Sequence, residues 1–104
     1  MSVIMTLRVS GNPQAVERMA KDDPERIQKI MENAHSHGLI AHRFYGSEDK
    51  IMVIDEWPDP QSFHAFFEES ESLIGPMMQA VATSEPEIVF WSKLETGDDV
   101  GWDA

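Results

Sequence analysis

Along residues 2–9, Val3, Met5, Leu7 and Val9 alternate with Ile4, Thr6 and Arg8, and a period of two predicts a β-strand. Gly11-Asn12-Pro13 closes it; Asn12 is a good helix cap and Pro13 suits a first helical position. Val16, Met19, Ala20, Ile27, Ile30, Met31 and Ala34 then recur at helical spacing, the mark of an amphipathic helix. Asp23-Pro24-Glu25 interrupts that run but also reads as a helix start, so a kink or two helical pieces in tandem is expected. Gly38 is placed to stop the helix. Leu39–Tyr45 and Ile51–Trp57 read as a second and third strand, joined into a hairpin by the turn cluster Gly46-Ser47-Glu48-Asp49. Pro58-Asp59-Pro60 breaks the third strand and opens a helix with Phe63, Phe66 and Phe67 on one face. Gly75-Pro76 is expected to restart a short helix carrying Met77, Met78 and Val81, and after Pro86 the stretch Glu87–Leu94 reads as a fourth strand.

Strand, helix, strand, strand, helix, strand is the split βαβ arrangement. The expected fold class is α+β: a ferredoxin-like βαββαβ domain over residues 1–94 with a four-stranded antiparallel sheet, followed by an acidic tail, 95–104, that contains Trp102. In this topology both helical segments cross one face of the sheet and leave the other open. Strands with one wet face alternate cleanly between apolar and polar residues, and these do not. With odd positions of the first strand toward the helices and even positions continuing across the sheet, the open face carries Ile4, Ile40, Phe44, Met52, Ile54, Ile88 and Phe90. Seven such side chains present roughly 400–800 Å² of apolar surface at about 25 cal/mol per Å², more than a monomer usually leaves in one patch. Stacking two copies face to face removes that exposure. The expected partner is therefore a second copy of the chain, and the expected assembly is a homodimer.

Composition narrows the chemistry. With 41% hydrophobic and 26% charged residues and no Cys, the chain is globular and has neither a disulfide framework nor a thiolate. Its formal net charge of -11 repels nucleic-acid phosphates and anionic lipid surfaces, so neither nucleic acid nor membrane is expected as a partner. There is no basic-then-apolar leader and no apolar run of membrane-spanning length, and the expected compartment is the cytoplasm. No Gly-rich phosphate loop, serine elbow or Cys nucleophile is present, which leaves nucleotide-dependent and acyl-enzyme chemistry without support. His35 and His37 flank Ser36, and residues two apart on a helix do not share a face. No metal site is read there.

The even-numbered strand positions also carry Thr6, Arg8, His42, Glu56 and Ser92. Together with Phe44, Ile54 and Phe90 they would line a pocket of apolar walls with few polar groups, the make-up of a small-molecule site. Imidazole titrates near neutrality and suits a general base, which makes His42 the candidate base; Arg8 is the candidate stabiliser of an anion. Thr6, Phe44, Ile54, Glu56 and Phe90 are the candidate substrate-binding residues. The plain alternative is an Arg8–Glu56 ion pair near the strand ends, with His42 satisfying a local hydrogen bond.

The segment Asp55-Glu56-Trp57-Pro58-Asp59-Pro60-Gln61-Ser62-Phe63, which ends a strand and opens an aromatic helix, resembles the Glu-Trp…Phe signature of the antibiotic biosynthesis monooxygenase-like family, part of the dimeric α+β barrel superfamily. Glu85-Pro86-Glu87-Ile88-Val89-Phe90 is similar to the family's last strand, and the element order matches over about residues 2–94. The resemblance implies a dimeric α+β barrel. It also implies oxidation of a small aromatic or polyketide-like compound with no cofactor: a base forms a substrate carbanion or phenolate and a cation stabilises it. Two other readings stand beside it, a non-catalytic dimeric module that binds a small apolar ligand and a haem-binding protein. Haem degraders of the superfamily place an Asn on the first strand and an axial His on the helix after the Trp. Here the strand offers Ile4, Thr6 and Arg8, the helix reads Phe66-Phe67-Glu68 at the matching place, and His64 falls elsewhere on it.

Overall fold

The computed structural model describes residues 1–102. Eight elements follow in order: β1 (Val3–Ser10), α1 (Pro13–Asp22), α2 (Pro24–Ser36), β2 (Ala41–Ser47), β3 (Lys50–Trp57), α3 (Pro60–Glu69), α4 (Glu71–Val81) and β4 (Glu87–Trp91). The strands form one four-stranded sheet in the order β2-β3-β1-β4, with every neighbouring pair antiparallel. This is the α+β ferredoxin-like arrangement, with each helical crossover split into two helices.

Local chemistry explains the splits. Asn12 caps α1 by accepting from the Gln14 N–H, and Asp23 both ends α1 and caps α2 by accepting from the Arg26 N–H. Asp59 caps α3 through the Ser62 N–H at 2.8 Å. Pro13, Pro24 and Pro60 sit where a helix has no partner for an N–H in any case. Gly38 adopts φ +94° just beyond α2, the left-handed turn that helix ends favour and that side chains resist. The second break falls earlier than the sequence suggests. The chain turns at Ser70 and α4 begins at Glu71, so Gly75 and Pro76 lie inside a helix. Ser70 explains the shift: it is fully buried, its carbonyl takes the N–H groups of Leu73 and Ile74, and its hydroxyl accepts from Asn33 Nδ2 at 3.1 Å. That bond ties α2 to the junction of α3 and α4.

The core lies between the sheet and the helices. Met5, Leu7, Val9, Ile51 and Trp57 from the strands meet Val16, Ile30, Ala34, Phe63, Phe66, Ile74, Met77 and Val81 from the helices, all buried. Trp57 is wholly enclosed and packs its ring on Phe63 and Phe66, at centroid distances of 5.8 and 5.3 Å. At about 25 cal/mol per Å² of apolar surface, this layer supplies the main driving force of folding.

The register corrects the assignment of faces. Even positions of β1 and β3 do share the open face, since Ile4 pairs with Glu56, Thr6 with Ile54 and Arg8 with Met52. The parity changes at both outer strands: Arg43 pairs with Ile54 and Tyr45 with Met52, while Thr6 pairs with Val89 and Ile4 with Trp91. The β2–β3 turn is the cause on one side. Ser47 pairs with Lys50 across the two residues Glu48 and Asp49, which sets even beside odd along the hairpin. His42, Phe44, Ile88 and Phe90 therefore belong to the helix face. The open face instead presents Ala41, Arg43, Tyr45, Glu87, Val89 and Trp91 beside Ile4, Thr6, Arg8, Met52, Ile54 and Glu56.

Candidate active site

Between sheet and helices lies a cavity of about 80 Å³. Its floor is Met5, Leu7 and Val53, and its roof includes Ile30, Met31, Phe66 and Met77. Two of its lining residues are polar, His42 and Asp55. Both arrive by register: they are paired neighbours on β2 and β3, so their side chains project together from the helix face.

Asp55 is 5% exposed. A carboxylate in such a place needs hydrogen bonds to offset its lost hydration, and it has them. His42 Nδ1 lies 2.7 Å from Oδ1, and Trp57 Nε1–H donates to Oδ2 at 3.1 Å. With an ionised Asp55 the His42 Nδ1 carries the hydrogen, which leaves Nε2 as the imidazole's free acceptor. His42 also meets the ring of Phe44 edge-on at 5.3 Å. Phe44 is 39% exposed on the edge strand β2 while lining the cavity, so it marks the way in. The arrangement is a base held by a buried acid, which is itself held by a buried indole, in an apolar chamber. It can take a proton from a bound molecule and hold the resulting imidazolium against Asp55.

The residues singled out from sequence divide between the two faces. His42 and Phe44 reach the cavity. Phe90 lies on the same face but packs on Phe63 and His64, at 5.7 and 5.5 Å. Thr6, Arg8, Ile54 and Glu56 stand on the open face, so the structure does not bring Arg8 to His42. The Arg8 guanidinium pairs with Glu87, its cross-strand neighbour, and both side chains are largely in water. Glu56 accepts from the Ser2 hydroxyl, so the expected Arg8–Glu56 pair does not form. Thr6 Oγ1 accepts from Trp91 Nε1 at 2.8 Å. Arg8, Tyr45, Lys50 and Met52 line a separate groove of about 620 Å³ at one end of the sheet.

Asp55 and the indole N–H of Trp57 are the site groups that the sequence reading passed over. The signal was present: Ile51, Val53, Asp55 and Trp57 alternate on one face of a strand, and a carboxylate at a core position must find partners. Among the described residues no cluster of three or more His, Asp or Glu side chains has a metal-binding arrangement. The one imidazole lining the cavity, His42, is engaged at Nδ1 by Asp55.

No family model matches the chain, and no curated protein matches it. Solved structures do. A monooxygenase from the gene ActVA-Orf6 of Streptomyces coelicolor, solved in complex with nanaomycin D, superposes with a TM-score of 0.65 at 15% identity, covering 91% of this chain and 88% of that one. SnoaB, a cofactor-independent oxygenase of Streptomyces nogalater, gives 0.62 at 14% identity, over 94% and 98%. A dimeric ferredoxin-like protein from an uncultured marine organism gives 0.64 at 13%, over 90% and 89%. In chain path, sheet order and helix placement, this protein has the α+β ferredoxin-like fold of the antibiotic biosynthesis monooxygenase-like proteins.

Proposed function

We propose that this protein is a cofactor-independent oxygenase that deprotonates a small neutral aromatic compound in the cavity between sheet and helices, with His42 as the base. The observation that carries the reading is the His42–Asp55–Trp57 chain in an otherwise apolar chamber. A purely structural strand position favours Val or Ile there; a buried acid holding an imidazole is what a positioned base requires. The cavity lining contains no Lys or Arg, so the substrate enters uncharged and its anion is balanced by the imidazolium. A ring methylene or phenol conjugated to a carbonyl is acidic enough for this. The deprotonated ring passes two electrons to O2; one oxygen atom becomes the new carbonyl and the other leaves as water, so that a methylene and O2 give a ketone and H2O. SnoaB, of the same fold, is described as a cofactor-independent oxygenase, and that supports the same class of reaction here. The resting cavity is smaller than such a substrate. Met31, Met77 and Met78, all lining it, are the side chains best able to change shape around one.

The working unit in this reading is a homodimer joined through the open sheet faces. On that face Ile4, Met52, Ile54 and Val89 are half-buried while Tyr45 and Trp91 are exposed, an apolar layer with no cover from its own helices. The dimeric ferredoxin-like structure of the same fold supports this assembly.

Oxygen uptake tests the catalytic reading. With anthrone as the probe and EDTA present, the protein should consume O2 and form anthraquinone above the spontaneous rate. His42→Ala should lower that rate by roughly 10²-fold or more, and Asp55→Asn should lower it while leaving anthrone binding, read by fluorescence quenching, nearly unchanged. Binding without uptake would instead favour a non-catalytic ligand-binding module.

A further inference from the structure

Phe44 is shared by two hollows. On one side of it lies the cavity of about 80 Å³ that holds His42 and Asp55. On the other lies a pocket of about 340 Å³ between the start of α1 and the β2–β3 hairpin. No other residue lines both. The inner cavity does not hold even one aromatic ring as it stands, since an apolar cavity that takes up benzene measures about 150 Å³. Room for the reacting ring must come from a wall that moves, and Phe44 is placed to be that wall. It sits on β2, an edge strand of the sheet, it is 39% exposed, and its ring rests edge-on against His42 at 5.3 Å. Turning that side chain aside joins the two hollows, and their combined volume falls in the range of roughly 300–1,000 Å³ found for small-molecule sites. The outer hollow is held in shape by a close approach. A Cβ on Gly46 would stand 2.6 Å from Pro13 Cβ, so α1 begins in direct contact with β2.

The two hollows differ in chemistry. The inner one is apolar apart from His42 and Asp55. The outer one sets Gln14, Glu17, Ser47 and Glu48 beside the apolar Val16 and Ile51, and those polar side chains accept hydrogen bonds from hydroxyl groups. Neither lining contains Lys or Arg, so nothing in either compensates a carboxylate or a phosphate.

We infer that the outer hollow is a second subsite and that Phe44 is the specificity-determining residue between the two. The ligand it selects is a fused-ring aromatic without anionic groups: one ring meets His42, and a hydroxyl-bearing ring passes Phe44 to lie against Val16 and Ile51. The inference rests on His42 as the base and adds how the molecule is placed and which substituent it carries. 2-Hydroxyanthrone, polar at one end only, is the probe. Under argon, with Met, Val and Ile methyl groups labelled with carbon-13, intermolecular NOEs are expected from its hydroxylated ring to Val16 and Ile51 and from its plain ring to Met31 and Met77. NOEs confined to Met31 and Met77, or the reverse orientation, would overturn the assignment. This measurement uses the wild-type chain and does not depend on how a variant folds. Phe44→Trp should then raise the dissociation constant of the probe roughly tenfold or more, and Phe44→Ala should lower it severalfold, because binding no longer draws on a minor open state. Equal affinities in all three proteins would remove Phe44 as the divide. Oxygen uptake separates this inference from the reaction: NOEs to both sets of methyls without uptake support the subsite and sink the base, whereas uptake with NOEs to the inner set alone sinks the subsite. No binding of the probe overturns both.

Discussion

Asp55 concentrates the chemistry of this protein in one side chain. Its two oxygens serve different partners, His42 on the neighbouring strand and Trp57 two residues along its own, so the acid orients the base while the indole orients the acid. Trp57→Phe keeps most of the packing on Phe63 and Phe66 but removes one hydrogen bond to a buried carboxylate. The expected cost is about 1–3 kcal/mol, read as a lower urea midpoint with an unchanged slope. The variant should also lose part of its oxygen uptake, because Asp55 is then free to rotate; retention of full stability would show that the indole N–H is incidental. At this scale the sequence was half legible. His42 stood out by residue type, whereas Asp55 was hidden in a stretch whose Trp and Phe drew attention to packing.

The first three helices each owe their start to a short polar side chain, and Asp59 is the clearest case. The Ser62 backbone N–H, and then the Ser62 hydroxyl, hold its carboxyl below the ordinary value of 3.8. The sign follows: a lowered folded-state value makes the ionised cap stabilising. That contribution is fully present above the ordinary carboxylate range and is lost as the pH falls through the lowered value. Asp59→Asn, which keeps an oxygen acceptor but not the charge, should match the wild type in acid and fall below it near neutrality; a thermal-melting series across pH 2–7 checks this. Asp59→Ala should be destabilised at every pH in that range. Element starts were readable because capping is local, with Asn12, Asp23 and Asp59 each acting within three residues. The start of α4 was not, because Ser70 is fixed by Asn33, thirty-seven positions away.

For the whole molecule, the open sheet face is the deciding feature. Ile54 sits on it between Thr6 and Arg43, so Ile54→Lys introduces a charge where two copies would meet. Burying two such charges face to face costs several kcal/mol. Light scattering should report a monomer for this variant and a dimer for the wild type, with the circular dichroism of the two alike. A variant that remains dimeric would place the contact on another surface.

The sequence by itself determined the order and kind of the elements and the starts of α1, α2 and α3, since alternation, helical spacing and capping all act over a few residues. What it did not determine was which strand positions share a face. That depends on how Ser47 meets Lys50 and Thr6 meets Val89, pairings between strands in which a shift of one residue sends every side chain to the opposite side. Tertiary pairing alone moved His42 and Phe44 from the open face to the cavity, separated His42 from Arg8, and gave it Asp55 instead.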